Sequence, residues 1–318
     1  MAVTLPFTGP CAPYIVIVRP RPHWLHLLFV RHGSIIYRIF PQLLFTTGLA
    51  GVVVLAHGQL FHWKVTLTSS PFSLMGVALA IFLGFRINAS YDRYWEARKL
   101  WGRLLIESRN LTRQALTLTS AGEGVREFAL TQIAFVRTLR NQLRGLPRAQ
   151  GLDGLISKER IERLASARFA PSLVLLWLSE WVRDRRERGE VEPILAERME
   201  TPLGGFSDVL GGCERIASTP LPFTYSVILH RTVYLYCMML PFGLVDSIGL
   251  MTPIVVAFVS YTFFALEALS DEIEEPFGNM PNDLPLDAMT AGIEASLREM
   301  LGEVPAPAML PDARYVLS

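Results

Sequence analysis

The stretch from Pro71 to Gln114 constrains this chain more than any other part of it. It opens as apolar helix on Leu74, Met75, Val77, Leu79, Ile81, Phe82, Leu83 and Phe85, with small residues at Gly76, Ala78, Ala80, Gly84 and Ala89. At Arg86 it turns charged, and no helix breaker follows until well past Trp101. A single helix leaving a bilayer for water has this pattern. Its apolar part, Pro71 to Phe85, is 15 residues, or about 22 Å at 1.5 Å per residue. That is short of a hydrocarbon core of about 30 Å. Small residues let helices approach without lipid between them, so the expectation is the inner wall of a helix bundle.

The rest of the chain suits a multi-span membrane protein with a substantial water-exposed part. Of its 318 residues, 51% are hydrophobic and 19% charged, with a mean hydropathy of +0.32. The formal net charge of +1 supplies no field that would attract nucleic acid. Cys11, Cys213 and Cys237 are odd in number and far apart, which makes neither a disulfide framework nor a metal cluster. The N-terminus lacks the order of a signal peptide, so internal spans are expected to do the targeting.

Taken in order, residues 1–33 are Pro-rich and then amphipathic around Trp24, Leu25, Leu27, Leu28 and Phe29, with arginines and His23, His26 and His32 nearby. Two readings are open: a segment lying on the membrane surface, or a tail packed on its own domain. Residues 34–101 are expected to hold spans one (Ser34 to Ala56, with Pro41 in its first turns) and two. Arg19, Arg21, Arg31 and Arg38 lie on one side of span one. The linker on its other side has Lys64 alone as a fixed cation, and Arg86, Arg93, Arg98 and Lys99 follow span two. The positive-inside rule therefore puts the N-terminus in the cytoplasm.

Residues 102–220 interleave arginines and acids with helical periodicity at Leu130, Ile133, Val136, Leu139 and Leu143, and read as four or five cytosolic helices. The run Leu173 to Leu178 is too short to span and reads as a buried helix. Gly204 and Gly205 are expected to precede a separate short helix through Cys213. Residues 221–270 carry spans three and four. His230 and Arg231 leave two possibilities: the helix is half cytosolic, with span three starting near Thr232, or the charges face the bundle interior. Asp246 and Gly249 make the outer turn. Residues 271–318 form an acidic turn, one amphipathic helix and a polar tail. The count is four spans with both termini inside and no internal repeat, which disfavours the inverted-repeat transporter plan.

No catalytic constellation is present: there is no phosphate loop, no HExxH and no GxSxG. No cofactor, bound metal or enzymatic activity is expected. Three features carry a functional question. Val77, Ile81 and Phe85 repeat every four residues on one helix face. They read as helix packing or lipid contact, or as a constriction that gates a pore by dewetting. Asp92, Tyr94, Trp95, Glu96, Arg98 and Trp101 read as a structural ring of ion pairs and indole hydrogen bonds. Asp271, Glu272, Glu274 and Glu275 read as a hard-cation site or as a solvated helix end, and spacing alone does not choose.

At these residues the chain resembles a known family. FLGFRINASYDRYWEARKLWG (Phe82 to Gly102), LPFTYSVILHRTVYLYC (Leu221 to Cys237) and ALSDEIEEPFGNMPNDLPLDAM (Ala268 to Met289) are similar to the motifs of bacterial bestrophin-like proteins, in order from about residue 20 to 290. The resemblance implies an all-α homopentameric ion channel of the inner membrane. Each protomer would supply four spans and a helical cytosolic domain around one central pore. It assigns Val77, Ile81 and Phe85 to the pore neck and Ile194 to a second, cytosolic constriction. It implies passive flow of small monovalent ions, chloride or sodium, with the chain itself and membrane lipid as partners. In animal bestrophins a dense acidic run after the Pro-Phe-Gly turn helps clasp calcium. Here Asn279-Met280-Pro281-Asn282 follow, and only Asp283 and Asp287 remain acidic. A membrane transporter and a scaffold with a partner-binding cytosolic domain are the competing expectations.

Overall fold

The computed structural model describes residues 34–56, 59–60, 63–64, 69–120, 122, 124–280, 282–304 and 307. The amphipathic segment expected over residues 1–33, His57, His62 and the polar tail lie outside them. The described residues are almost wholly helical: α1 (Ile36–Leu55), α2 (Ser69–Leu118), α3 (Gly124–Leu143), α4 (Lys158–Ser166), α5 (Ala170–Glu187), α6 (Pro193–Ser218), α7 (Phe223–Ile248), α8 (Thr252–Glu274) and α9 (Leu286–Met300). A two-residue antiparallel ladder, β1 (Gln59–Leu60) with β2 (Trp63–Lys64), lies between α1 and α2.

Two compact units divide the chain. One draws on Arg21–Glu96 and Ser218–Pro276, the other on Ala97–Ala217 and Phe277–Ser318. Three helical stretches, Ile36–Leu55, Ser70–Leu118 and Phe223–Glu274, are long and apolar enough to cross a membrane; the first and third lie in the first unit, and the second runs on past Glu96 into the other. The third of these stretches holds two helices. A 3-10 turn at Gly249–Met251, with Gly249 at φ 52°, separates α7 from α8 where the outer turn is expected. α1 packs against α7 and α8. The core of this bundle is Ile39, Leu79, Leu83, Val233, Cys237 and Phe264, with Ala50, Leu240 and Val256 forming a second apolar layer. Pro41 lies inside α1 without ending it. Gly76 allows a close approach of the expected kind: a Cβ there would stand 2.8 Å from the Tyr236 hydroxyl.

Span three lies within one unbroken helix that continues on the near side of His230 and Arg231. α7 starts at Phe223 and runs unbroken to Ile248, 26 residues, or about 39 Å. His230 is accommodated inside it because its Nδ1 meets Glu267 Oε1 of α8 at 2.7 Å.

The second unit is built around α3, which buries Phe128, Ile133, Phe135, Val136 and Leu139. Phe128 stacks on Trp181 of α5 at 4.2 Å and Phe135 on Phe206 of α6 at 4.9 Å. α5 includes the expected buried run, with Val174, Trp177 and Leu178 inside and Leu176 outside. Ser157 caps α4 by accepting from the Arg160 amide at 3.4 Å. Gly204 and Gly205 do not break a helix: both lie within α6. At Gly205 a Cβ would fall 2.8 Å from Glu107 Cγ, so this glycine makes room for the α2 side chain and does not end a segment.

The α9 segment is fastened by arginines from α2 and α3. Arg137 pairs with Glu294, Arg140 and Arg144 both pair with Asp287, and Arg109 donates to Ser296 at 2.7 Å. Arg298 and Arg126 hydrogen-bond Glu303 and hold its carboxyl below the usual range. Trp101 is fully buried, and its Nε1–H meets no acceptor among the described residues. It acts through packing and not through the expected indole hydrogen bond.

Candidate functional site: the outward face of helix α2

Helix α2 has two unlike faces in the membrane unit. With about 100° of rotation per residue, Phe85 and Val77 lie about 40° to either side of Ile81. Leu79 and Leu83 lie about 160° from Ile81, Arg86 about 140°, Ser90 about 180° and Arg93 about 120°. Burial follows this division. Leu79 and Leu83 are 2% and 1% exposed, whereas Val77, Ile81 and Phe85 are 59%, 52% and 61% exposed. The apolar stripe therefore lies on the exposed side of the helix, turned away from the bundle core. Leu74, about 20° from Ile81 by rotation and 75% exposed, continues the same face toward the start of the helix. Counting in strict steps of four passes over it. Steps of three and four together, the true period of a helix face, include it.

The opposite face is polar where the apolar core ends. Arg86, 4% exposed, donates from Nη2 to Asp271 Oδ1 at 2.6 Å and lies 3.4 Å from Glu274 Oε2. Ser90 Oγ and Ser270 Oγ, both fully buried, are 2.9 Å apart. Arg93 donates to the Glu274 carbonyl at 3.1 Å and to the Thr219 carbonyl. From α1, Arg38 reaches Asp271 Oδ2 at 3.2 Å and Glu272 Oε1 at 3.6 Å. The second carboxylate oxygen of Glu274 accepts from the Leu221 amide at 3.1 Å, just ahead of α7.

Three of the four acids considered for a cation site thus face guanidinium groups. Among the described residues, no group of three or more His, Cys, Asp or Glu is arranged to hold a metal ion. Asp283 accepts from the Met280 amide at 2.6 Å, and Asp287 faces two arginines. Ile194 belongs to the other unit, in the first turn of α6, and is 66% exposed. Two residues carry more of the arrangement than the sequence alone marks. Arg86 reads there as a span-ending charge, and its partners lie 185 and 188 positions away. Glu267 reads as part of span four, yet it is 6% exposed and bonded to His230. A lone acid in an apolar run is the signal for such a residue, since intramembrane carboxylates keep partners.

Comparison with known proteins places this geometry. The family model described as bacterial/fungal bestrophin protein matches residues 16–299. A voltage-dependent anion channel-forming protein of Ralstonia nicotianae is 47% identical over 294 residues, covering 91% of this chain and 95% of that protein. One of the same description from Escherichia coli K12 is 46% identical over 304 residues, covering 95% and 100%. The crystal structure of a bacterial bestrophin homolog from Klebsiella pneumoniae superposes with a TM-score of 0.81 at 40% identity, covering 84% of this chain and all of that one. The chain belongs to the bacterial/fungal bestrophin family.

Proposed function

We propose that this protein is a pentameric channel of the bacterial inner membrane that passes small monovalent anions passively through a neck of Val77, Ile81 and Phe85. One observation carries the reading: an exposed apolar stripe on a membrane helix whose opposite face is packed and ion-paired. Its family membership and the anion-channel relatives support it. Copies of α2 meeting around an axis would turn the stripe into stacked apolar collars. Such collars resist ions through the cost of removing their hydration and gate by wetting and drying. An apolar collar does not itself choose the sign of the ion, so chloride is favoured over sodium here on the relatives' descriptions. The arginines that follow span two support a cytoplasmic side for α2 beyond Arg86 and for both termini. Residues 34–101 and 221–270 then form the membrane part and residues 102–220 the cytosolic part. Ile194 is assigned to a second, cytosolic constriction.

Purified protein should have a mass near five protomers. In liposomes under a potassium chloride gradient, its reversal potential should lie toward the chloride equilibrium potential. A stable monomer overturns the pore reading. A reversal toward potassium overturns the sign, saturable slow exchange indicates a transporter, and absence of flux indicates a scaffold.

The arginine-occupied acids give a second expectation. Micromolar calcium should leave the conductance unchanged, because Asp271, Glu272 and Glu274 already face arginines. A calcium-dependent rise in current that Asp271→Ala abolishes overturns this.

A further inference from the structure

We infer that Arg86 is the positioning residue of the permeation path: from the side of α2 turned away from the stripe, its grip on Asp271 and Glu274 fixes the rotation at which Val77, Ile81 and Phe85 are presented. This rests on the pore reading above.

Three observations carry it. The first is placement. Arg86, Ser90 and Arg93 are spaced by four and three, so they share one face. All three attach to the last turn of α8 or the residue next to it: Arg86 to Asp271 and Glu274, Ser90 to Ser270, and Arg93 to the Glu274 carbonyl. A row of attachments along one face resists turning of the helix about its own axis, which a single contact would permit.

The second is the quality of the Arg86 contact. Its side chain is 5% exposed and faces two carboxylates. Such a guanidinium cannot turn toward water without leaving carboxylates behind. Its Nε is buried and meets no acceptor among the described residues. The group is held by its terminal nitrogen, and part of its own hydrogen-bonding capacity is given up to stay there.

The third is that the acids are themselves tethered. Arg38 of α1 holds Asp271 from its other oxygen, and the Leu221 amide holds Glu274 from its other oxygen. Arg86 is thereby referenced to α1, the start of α7 and the end of α8 together. A shift of about 100° in α2, one residue of rotation, would bring a neighbouring face to the neck. Apolar and small residues such as Phe82 and Ala78 would then replace Ile81.

Thiol accessibility tests this in the pentamer. In a Cys11→Ser background, where Cys213 and Cys237 are buried, Ile81→Cys and Leu79→Cys are compared for reaction with a small charged methanethiosulfonate during ion flux. Ile81→Cys should react and Leu79→Cys should not. Adding Arg86→Gln should narrow that contrast about tenfold, which is a coupling of about 1.4 kcal/mol, and should change flux. Arg86→Lys, which keeps a cation toward Asp271 and Glu274, should retain more of the contrast than Arg86→Gln does. Asp271→Asn, which leaves Glu274 to hold the guanidinium, should narrow it less and serves if Arg86→Gln does not assemble. An unchanged contrast in whichever variant forms a pentamer overturns the proposal alone. No reaction at Ile81→Cys in the otherwise wild-type chain overturns the pore reading and the proposal with it.

Discussion

Ile81→Ala and Phe85→Ala are expected to raise ion flux about tenfold, the effect of about 1.4 kcal/mol removed from a permeation barrier, while leaving the oligomer intact. Both side chains are more than half exposed in the protomer, so their removal leaves no cavity in the protomer's own core. In a ring of copies each truncation widens and wets a collar, and the cost of stripping water from an ion falls. Leu79→Ala is the matched control on the same helix. Leu79 is 2% exposed and belongs to the bundle core with Ile39 and Val233. Its truncation should cost about 2–5 kcal/mol of stability and should not increase flux. The comparison needs equal protein loading in the same liposomes. Variants at Ile81 and Phe85 that conduct no better than wild type return the stripe to helix packing.

Asp287→Ala is expected to be among the most destabilising single changes in the second unit, by about 3–5 kcal/mol. The carboxylate lies against Arg140 at 2.7 Å through one oxygen and against Arg144 through the other. Arg144 is 5% exposed. Removing the acid leaves a buried guanidinium without its counter-charge, which costs far more than losing a surface pair. Asp287→Asn should recover part of the loss, since the amide oxygen still accepts from one guanidinium. Thermal unfolding of the detergent-purified protein measures both. A melting temperature within a degree or so of wild type for Asp287→Ala shows that Arg144 finds other compensation.

The spans and the stripe could be read in advance because they depend on local periodicity. Val77, Ile81 and Phe85 are near neighbours in the chain, and a helix places them on one face whatever surrounds it. Apolar length alone likewise marks α1 and α8. What could not be read is what depends on distant partners. Gly204 and Gly205 look like a break until Glu107 is seen beside Gly205. Asp271, Glu272 and Glu274 look like free acids until Arg38 and Arg86 arrive from residues far upstream. His230 looked too polar for the middle of a span because its partner, Glu267, lies 37 positions on. In each case the missing information was a pairing across the chain, which spacing within one segment does not carry.

The arginine fastening of α9 bears on the order in which the protein can be completed. Among the described residues the second unit begins with Ala97–Ala217, is interrupted by Ser218–Pro276, and resumes only at Phe277. During synthesis, α3 to α6 therefore emerge before the segment that neutralises Arg137, Arg140 and Arg144 exists. α7 and α8 must be made first. Until then three arginines and the apolar face that receives Leu286, Ile293 and Leu297 stay open to water. The last helix among the described residues acts as a latch. A chain cut short after Pro276 would retain each described helix long and apolar enough to span, yet its other half could not close.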